Sequence, residues 1–164
     1  MSWNANTGLV YLPAQNNNSY YEMVEALDYQ QGQWNTGTAR GGSAEERPER
    51  PVLTGPSRLL LAWDPVTNSE VWRVPATGGN GGTLSTAGNL VFWGTGSRLA
   101  AYDARNGEEL WSATVGNGTA TPITYVLDGR QYVTIAGGRS GDQGDPARVW
   151  TFTLDAPPRD AGGN

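Results

Sequence analysis

The side chains in this chain that could do chemistry are few, because it contains neither histidine nor cysteine. Without them there is no imidazole base, no thiolate nucleophile, no thiolate metal site and no attachment point for a c-type haem. Carboxylates, tyrosines, arginines, amides and hydroxyls remain. The familiar self-contained hydrolase mechanisms are therefore mostly excluded, and we assign no catalytic residue to this sequence.

Asp142 and Asp145 share one short loop and could offer oxygen atoms to calcium. Calcium takes roughly six to eight oxygen ligands, so two carboxylates fall short of a binding site. A solvated loop is the simpler interpretation, and we assign no metal ligand to this chain.

Asn80, Gly81 and Gly82 form the best candidate for a binding site. An asparagine amide can hydrogen-bond to ligand oxygens, and glycine lets the backbone approach a flat ligand closely. The same residues are also ordinary turn formers, so a loop between sheets is the alternative interpretation. The chain has no lysine and no helix is predicted after these glycines, which argues against a phosphate cradle.

The charge of the chain limits its partners. Its 11 basic residues are all arginine and it has 16 acidic residues, which gives a net charge of −5. Such a surface repels nucleic acid and anionic membranes. No apolar run approaches the roughly 18 residues of a membrane span, and no export signal is visible at the start.

The elements that position these residues are predicted to be strands, because 23 glycines and 10 prolines suit turns better than long helices. We expect a first strand at Gly8–Pro13, paired as a hairpin with Tyr20–Val24. Further short apolar runs bounded by Gly, Asn or Asp predict strands at 58–63, 70–74, 89–95, 98–102, 109–115, 122–127, 131–136 and 148–154. The fold class is therefore all-β.

The chain divides by composition into one domain and a tail. Residues 1–155 are predicted to form the domain, with a long polar and glycine-rich loop inserted at 28–56. Residues 156–164, which include two prolines and two glycines, are predicted to be an unstructured tail.

An internal repeat is the most informative feature of the sequence. Residues 62–72 match residues 101–111 without a gap, and both read Ala, an aromatic residue, Asp, a turn, and then Glu-x-Trp. Trp72 and Trp111 are 39 positions apart. A period of about 40 residues built from four short strands is typical of a β-propeller blade, so this length predicts a partial propeller of about three to four blades.

The repeated residues have structural roles in such a unit. Asp64 and Asp103 can accept hydrogen bonds from the amides of the following turn, and Gly107 can close that turn. Trp72 and Trp111 can each lie against the next blade and donate the indole N–H to a backbone carbonyl. Stacking on a planar ligand is the alternative, but repetition favours the structural role.

These residues resemble a known family. The two repeats are similar to the tryptophan-docking motif of the pyrroloquinoline quinone (PQQ)-dependent alcohol dehydrogenases, which are eight-bladed propellers. Residues 79–92 resemble the segment between the last two full motifs of that family, residues 1–15 resemble an earlier strand pair, and residues 122–133 resemble its final hairpin. The resemblance covers about nine tenths of the chain, in family order.

The resemblance implies a carboxy-terminal portion of a periplasmic quinoprotein. The calcium ligands, the catalytic aspartate and most contacts to PQQ would lie in earlier blades, and Asn80 matches a position close to the quinone. Gly79 stands where many members of that family have Trp. In such an enzyme PQQ over calcium accepts a hydride from an alcohol while a carboxylate takes the hydroxyl proton.

Two functional hypotheses follow. In the first, the chain is part of an alcohol dehydrogenase and supplies propeller scaffold and one wall of the cofactor pocket, with the remaining blades as partners and no turnover by the chain alone. In the second, it is a non-catalytic propeller fragment that binds a partner or its own copies, because open blade edges seek pairing.

Overall fold

The computed structural model describes residues 1–18, 22–39, 52–78, 80–138 and 146–154, which form strands and no helix. In chain order the strands are β1 (Ser2–Trp3), β2 (Val10–Gln15), β3 (Glu22–Met23), β4 (Thr38–Ala39), β5 (Arg58–Asp64), β6 (Ser69–Ala76), β7 (Asn80–Ser85), β8 (Leu90–Thr95), β9 (Arg98–Asp103), β10 (Glu109–Thr114), β11 (Ile123–Leu127), β12 (Arg130–Gly137) and β13 (Arg148–Phe152). The prediction of an all-β fold is confirmed.

The strands form three antiparallel sheets and one small ribbon. The first sheet has the order β1-β2-β5-β6, the second β7-β8-β9-β10 and the third β11-β12-β13, while β3 and β4 form the ribbon. Tight turns join many of the hairpins. Asn68, Gly107 and Asp128 lie in them with φ angles of 53°, 75° and 51°, the left-handed region that closes such turns.

The chain forms two compact units. One comprises Met1–Gln15 and Pro56–Asn164 and holds the three sheets, and the other comprises Asn16–Gly55 and holds the ribbon. The second unit is thus an insertion between β2 and β5, which are neighbours in the first sheet with Gln15 opposite Arg58.

The hairpin expected from Gly8–Pro13 and Tyr20–Val24 is wrong. β2 pairs with β1 and β5, and β3 pairs instead with β4, which lies inside the stretch interpreted as a long loop. The reason is side-chain matching. Tyr11 lies opposite Ala62 and Leu12 opposite Leu61, so β2 has an apolar partner strand in β5.

Two apolar clusters join the three sheets face to face. The first lies between the first and second sheets, and its members are Leu9, Tyr11, Leu60, Ala62, Trp72, Val91, Trp93, Ala100, Tyr102 and Ala104. The second lies between the second and third sheets, and its members are Phe92, Leu99, Ala101, Val115, Val133 and Ile135. The second sheet is therefore covered on both faces, which explains why β8 and β9 are almost continuously apolar.

The strands predicted between residues 58 and 154 all occur, with ends that differ by a few residues. β7 was not predicted, because its glycines were interpreted as a loop. The tail expected at 156–164 lies outside the described residues.

Candidate functional site

The candidate residues Asn80, Gly81 and Gly82 lie at the start of β7, the edge strand of the second sheet. Asn80 is opposite Thr95 and Thr83 is opposite Trp93, so Gly81 and Gly82 together face the single residue Gly94. This is a β-bulge. A bulge interrupts the regular ladder and redirects the strand, and such features are common beside functional sites.

The bulge contacts the segment that leads into the third sheet. A Cβ atom on Gly81 would lie 2.5 Å from the Gly94 carbonyl oxygen and 3.0 Å from that of Ala120. A Cβ atom on Gly82 would lie 2.1 Å from the Thr121 Oγ1 atom. A side chain at position 81 would collide with the neighbouring strand β8 of the same sheet and with the segment before β11, and one at position 82 would collide with Thr121 of that segment. On that side of the backbone the chain itself fills the space, so a ligand has to approach from another side.

The segment before β11 extends the third sheet along the same edge. The Ala120 amide donates to the Ala136 carbonyl at 2.9 Å, and the Gly138 amide donates to the Asn117 carbonyl at 2.7 Å. The edge strand of the first sheet, β1, lies on the other side of β7. The Ser2 hydroxyl donates to Thr83 Oγ1 at 3.0 Å. One edge of each sheet thus lies beside the bulge.

The opposite edges of the first two sheets are bridged by large side chains instead. Trp72, on the edge strand β6, is only 8% exposed and donates its indole N–H to the Ala104 carbonyl of the second sheet at 3.1 Å. Its ring contacts the turn of that sheet so closely that a Cβ on Gly107 would lie 2.7 Å from Trp72 Cε3. The role expected of Trp72 from the repeat is the one found.

The Ala104 carbonyl accepts a second hydrogen bond from the first sheet. The Tyr11 hydroxyl donates to it at 2.9 Å, and the Tyr11 and Trp72 rings lie 5.6 Å apart. Burial raises the pKa of Tyr11 above its ordinary value, which keeps the phenol protonated as a donor. Sequence reasoning missed Tyr11, because this residue lies outside both repeats.

Trp111 is the equivalent residue on β10 and behaves differently. It contacts Phe152 of the third sheet edge to face, with ring centroids 5.0 Å apart, and it is 39% exposed. Within the described part of the chain, no carbonyl accepts its indole N–H. The contact with the next sheet is present, but the expected hydrogen bond is not.

The aspartates of the repeat cap their turns as predicted. Asp64 Oδ1 accepts from the Val66 amide at 2.8 Å and from the Thr67 amide at 3.2 Å, and Asp103 Oδ1 accepts from the Arg105 amide at 2.8 Å. The Val66 hydrogen bond, followed by those of Thr67, holds the pKa of Asp64 below its ordinary value. These carboxylates are structural.

An asparagine near the start of the chain performs a similar task between sheets. Asn4 is buried, accepts from the Asn6 amide at 2.8 Å and donates its side-chain N–H to the Thr86 carbonyl of the second sheet at 3.0 Å.

Across the described residues, no group of three or more His, Cys, Asp or Glu side chains could hold a metal ion. No described helix is long and apolar enough to cross a membrane.

Comparison with known proteins agrees with this architecture. A family model described as PQQ glucose/ethanol/alcohol dehydrogenase, β-propeller domain, matches residues 64–133. The 1-butanol dehydrogenase (cytochrome c) of Thauera butanivorans is 43% identical over 94% of this chain and 24% of that protein. The quinohemoprotein alcohol dehydrogenase of Comamonas testosteroni is 44% identical over 94% of this chain and 24% of that protein.

Among solved structures, a europium-containing methanol dehydrogenase matches with a TM-score of 0.65 and 26% identity, over 84% of this chain and 24% of that one. The stacked four-stranded sheets, joined by a buried indole, define part of a β-propeller. Residues 64–133 thus match the β-propeller domain of the PQQ-dependent dehydrogenases, and most of the chain is similar to part of quinohemoprotein alcohol dehydrogenases. The chain spans about a quarter of the length of these relatives.

Proposed function

We propose that this chain is the carboxy-terminal segment of a periplasmic PQQ-dependent dehydrogenase that oxidises alcohols. Its role is to supply propeller sheets and one wall of the cofactor pocket. The observation that carries the proposal is the family match together with the bulge at residues 80–82 on an edge strand, beside which one edge of each of the other two sheets lies.

The wall consists of Asn80, Gly81 and Gly82. An edge strand has backbone N–H and C=O groups that no neighbouring strand pairs, and the bulge frees further groups from the ladder with β8. Such amides, with the asparagine side chain, are suited to the quinone and carboxylate oxygens of PQQ. PQQ held there would supply the hydride acceptor for alcohol oxidation. The calcium ligands and the proton-accepting carboxylate belong to the rest of the longer protein.

The remaining sheets of the propeller are the expected partners. Among the described residues, the third sheet has three strands where the other two have four. The face of its sheet that points away from the second sheet carries four exposed apolar side chains, which are Ile123, Tyr125, Leu127 and Val149. Covering this face with a neighbouring sheet would continue the stacking seen between the first three. The repeats at 62–72 and 101–111 then act as tryptophan-docking motifs, one for each four-stranded sheet.

Asn80→Ala tests the wall in the longer dehydrogenase that carries this segment. Losing an amide that binds a charged oxygen costs roughly 1.5–3 kcal/mol. The PQQ concentration that restores half of the alcohol-dependent dye reduction should therefore rise about tenfold to a hundredfold. Asn106→Ala is the control, because Asn106 is an exposed turn residue away from β7. An unchanged PQQ requirement in Asn80→Ala contradicts the proposed wall.

The purified 164-residue chain tests whether this segment catalyses alcohol oxidation without the rest of the dehydrogenase. With added PQQ, calcium and a primary alcohol, it should reduce no dye, since the base and the metal ligands lie elsewhere. Clear turnover by the chain alone would contradict the proposal.

The exposed face of the third sheet also favours a second candidate, a non-catalytic module that associates with its own copies through this face. Light scattering of the purified chain distinguishes the two. A defined dimer that Tyr125→Arg converts to monomer supports self-association, whereas a monomer at all concentrations excludes it.

A further inference from the structure

The inserted unit Asn16–Gly55 contains a feature that the proposed function does not use. Its ribbon pairs Glu22 with Ala39 and Met23 with Thr38, and the Val24 amide donates to the Gly37 carbonyl at 3.1 Å. The loop 25–36 therefore leaves and returns at adjacent points. Compact loops whose ends are close together in this way are frequently functional.

The tip of this loop is held by one asparagine. Asn35 Oδ1 accepts from the Gln30 amide at 2.8 Å, and Asn35 Nδ2 donates to the carbonyls of Gln30 and Gln33 at 2.8 Å and 2.7 Å. Trp34 lies between these anchored residues and is 87% exposed. A large indole is thus presented to solvent from an ordered turn, which lowers the entropic cost of binding a partner.

Trp34 lines a shallow groove of about 230 Å³ together with Val24, Leu27 and Asp28. Leu27 is exposed as well, so the groove combines an aromatic ring, aliphatic surface and one carboxylate. A cation gains from both the face of an indole and a carboxylate. Arginine suits such a groove better than lysine, because its planar guanidinium stacks on aromatic rings and pairs with carboxylates.

The net charge of the inserted unit also favours an arginine side chain in the groove. Its described residues contain three carboxylates, Glu22, Glu25 and Asp28, and no basic side chain. Over residues 16–55 as a whole, the sequence has six acidic residues and three arginines, a net charge of −3. An exposed groove that combines an indole ring with a carboxylate, on a unit of net negative charge, complements a positively charged protein surface with arginine at its centre.

We propose that the Trp34 groove is a docking site for a separate partner protein with a basic surface, and that an arginine of the partner stacks on Trp34 and pairs with Asp28. This inference goes beyond the dehydrogenase segment role and does not depend on it. The groove lies entirely within the inserted unit.

Titration of the full chain with a peptide of alternating arginine and leucine tests the proposal. We expect binding at low salt, weaker binding of the matching lysine peptide, and none of the glutamate peptide. Trp34→Leu keeps apolar surface but removes the ring face, and Asp28→Asn removes the carboxylate. Each should weaken binding of the arginine peptide about threefold to thirtyfold.

Two control variants distinguish binding at the Trp34 groove from non-specific attraction of the peptide to any exposed charge or indole. Glu108→Gln removes one exposed charge from a turn of the second sheet, and Trp3→Leu removes one exposed indole from β1. Both should change the affinity by less than twofold. The proposal is overturned if the peptide does not bind at low salt, if Glu108→Gln weakens binding as much as Asp28→Asn, or if Trp34→Leu binds like the parent. Circular dichroism spectra of all variants should match, because these side chains are exposed.

Discussion

The shared acceptor at Ala104 offers a sharp test of how the first two sheets are joined. Its carbonyl accepts from both the Tyr11 hydroxyl, at 2.9 Å, and the Trp72 indole N–H, at 3.1 Å. Ala104 is fully buried, so these two side chains take the place of water at its carbonyl. Either donor alone leaves the carbonyl satisfied. The two donors should therefore be coupled in stability.

Tyr11→Phe and Trp72→Phe remove one donor each. Each loss of a hydrogen bond should cost about 1 kcal/mol of unfolding free energy, and Trp72→Phe loses more because phenylalanine fills less of the indole site. The double variant leaves a buried carbonyl unpaired, which costs a further 1–3 kcal/mol or so. The expected result is a double-mutant cycle with a coupling energy of about 1 kcal/mol or more, in the direction of extra destabilisation.

Urea unfolding of the four proteins, followed by circular dichroism and tryptophan fluorescence, measures this cycle. The Tyr11→Phe/Trp111→Phe pair is the control, because Trp111 contacts the third sheet and shares no acceptor with Tyr11. That pair should be additive within about 0.5 kcal/mol. Additivity of the Tyr11 and Trp72 variants within the same limit would refute the shared-acceptor reasoning.

Further predictions concern turns and pH. Gly107→Ala should lower the free energy of unfolding in urea by about 2 kcal/mol or more, because the new Cβ would collide with the Trp72 ring. Gly129→Ala is the control, since Gly129 has the same φ of 75° and nothing lies within 4 Å of its Cβ, and it should cost only about 1 kcal/mol of backbone strain. Equal costs would contradict the contact between Gly107 and Trp72. The lowered pKa of Asp64 means that the folded state binds this proton more weakly than the unfolded state. Its contribution is therefore complete above the unfolded pKa of about 4 and is lost as pH falls through the lower folded pKa. As the pH is lowered from 5 to about 2.5, the urea concentration at the unfolding midpoint should decrease, and it should decrease less in Asp64→Asn. An identical decrease in both proteins would show that Asp64 does not contribute to the acid destabilisation.

The repeat made the central part of the fold predictable from sequence. Residues 62–72 and 101–111 each combine a turn aspartate with an indole on the following strand, and both local features follow from side-chain chemistry that acts within a few residues. The burial of Trp72 followed from the same pattern, because a repeated large indole on an edge strand needs a neighbour to cover it.

Features that depend on distant residues were not predictable. β2 pairs with β5 across an insertion of some 40 residues, and nothing near Gln15 indicates where the chain returns. Gly81 and Gly82 were interpreted as a loop, because the atoms that exclude a side chain there belong to Gly94, Ala120 and Thr121, which are distant in sequence. Trp111 lacks the expected hydrogen bond among the described residues, although its local sequence matches that of Trp72.

A crystal structure of the longer dehydrogenase with PQQ bound would test the cofactor wall at residues 80–82. We expect a PQQ oxygen within hydrogen-bonding distance of the backbone or side chain of these residues. The proposed wall is contradicted if PQQ occupies its pocket and those residues are separated from it by other parts of the protein.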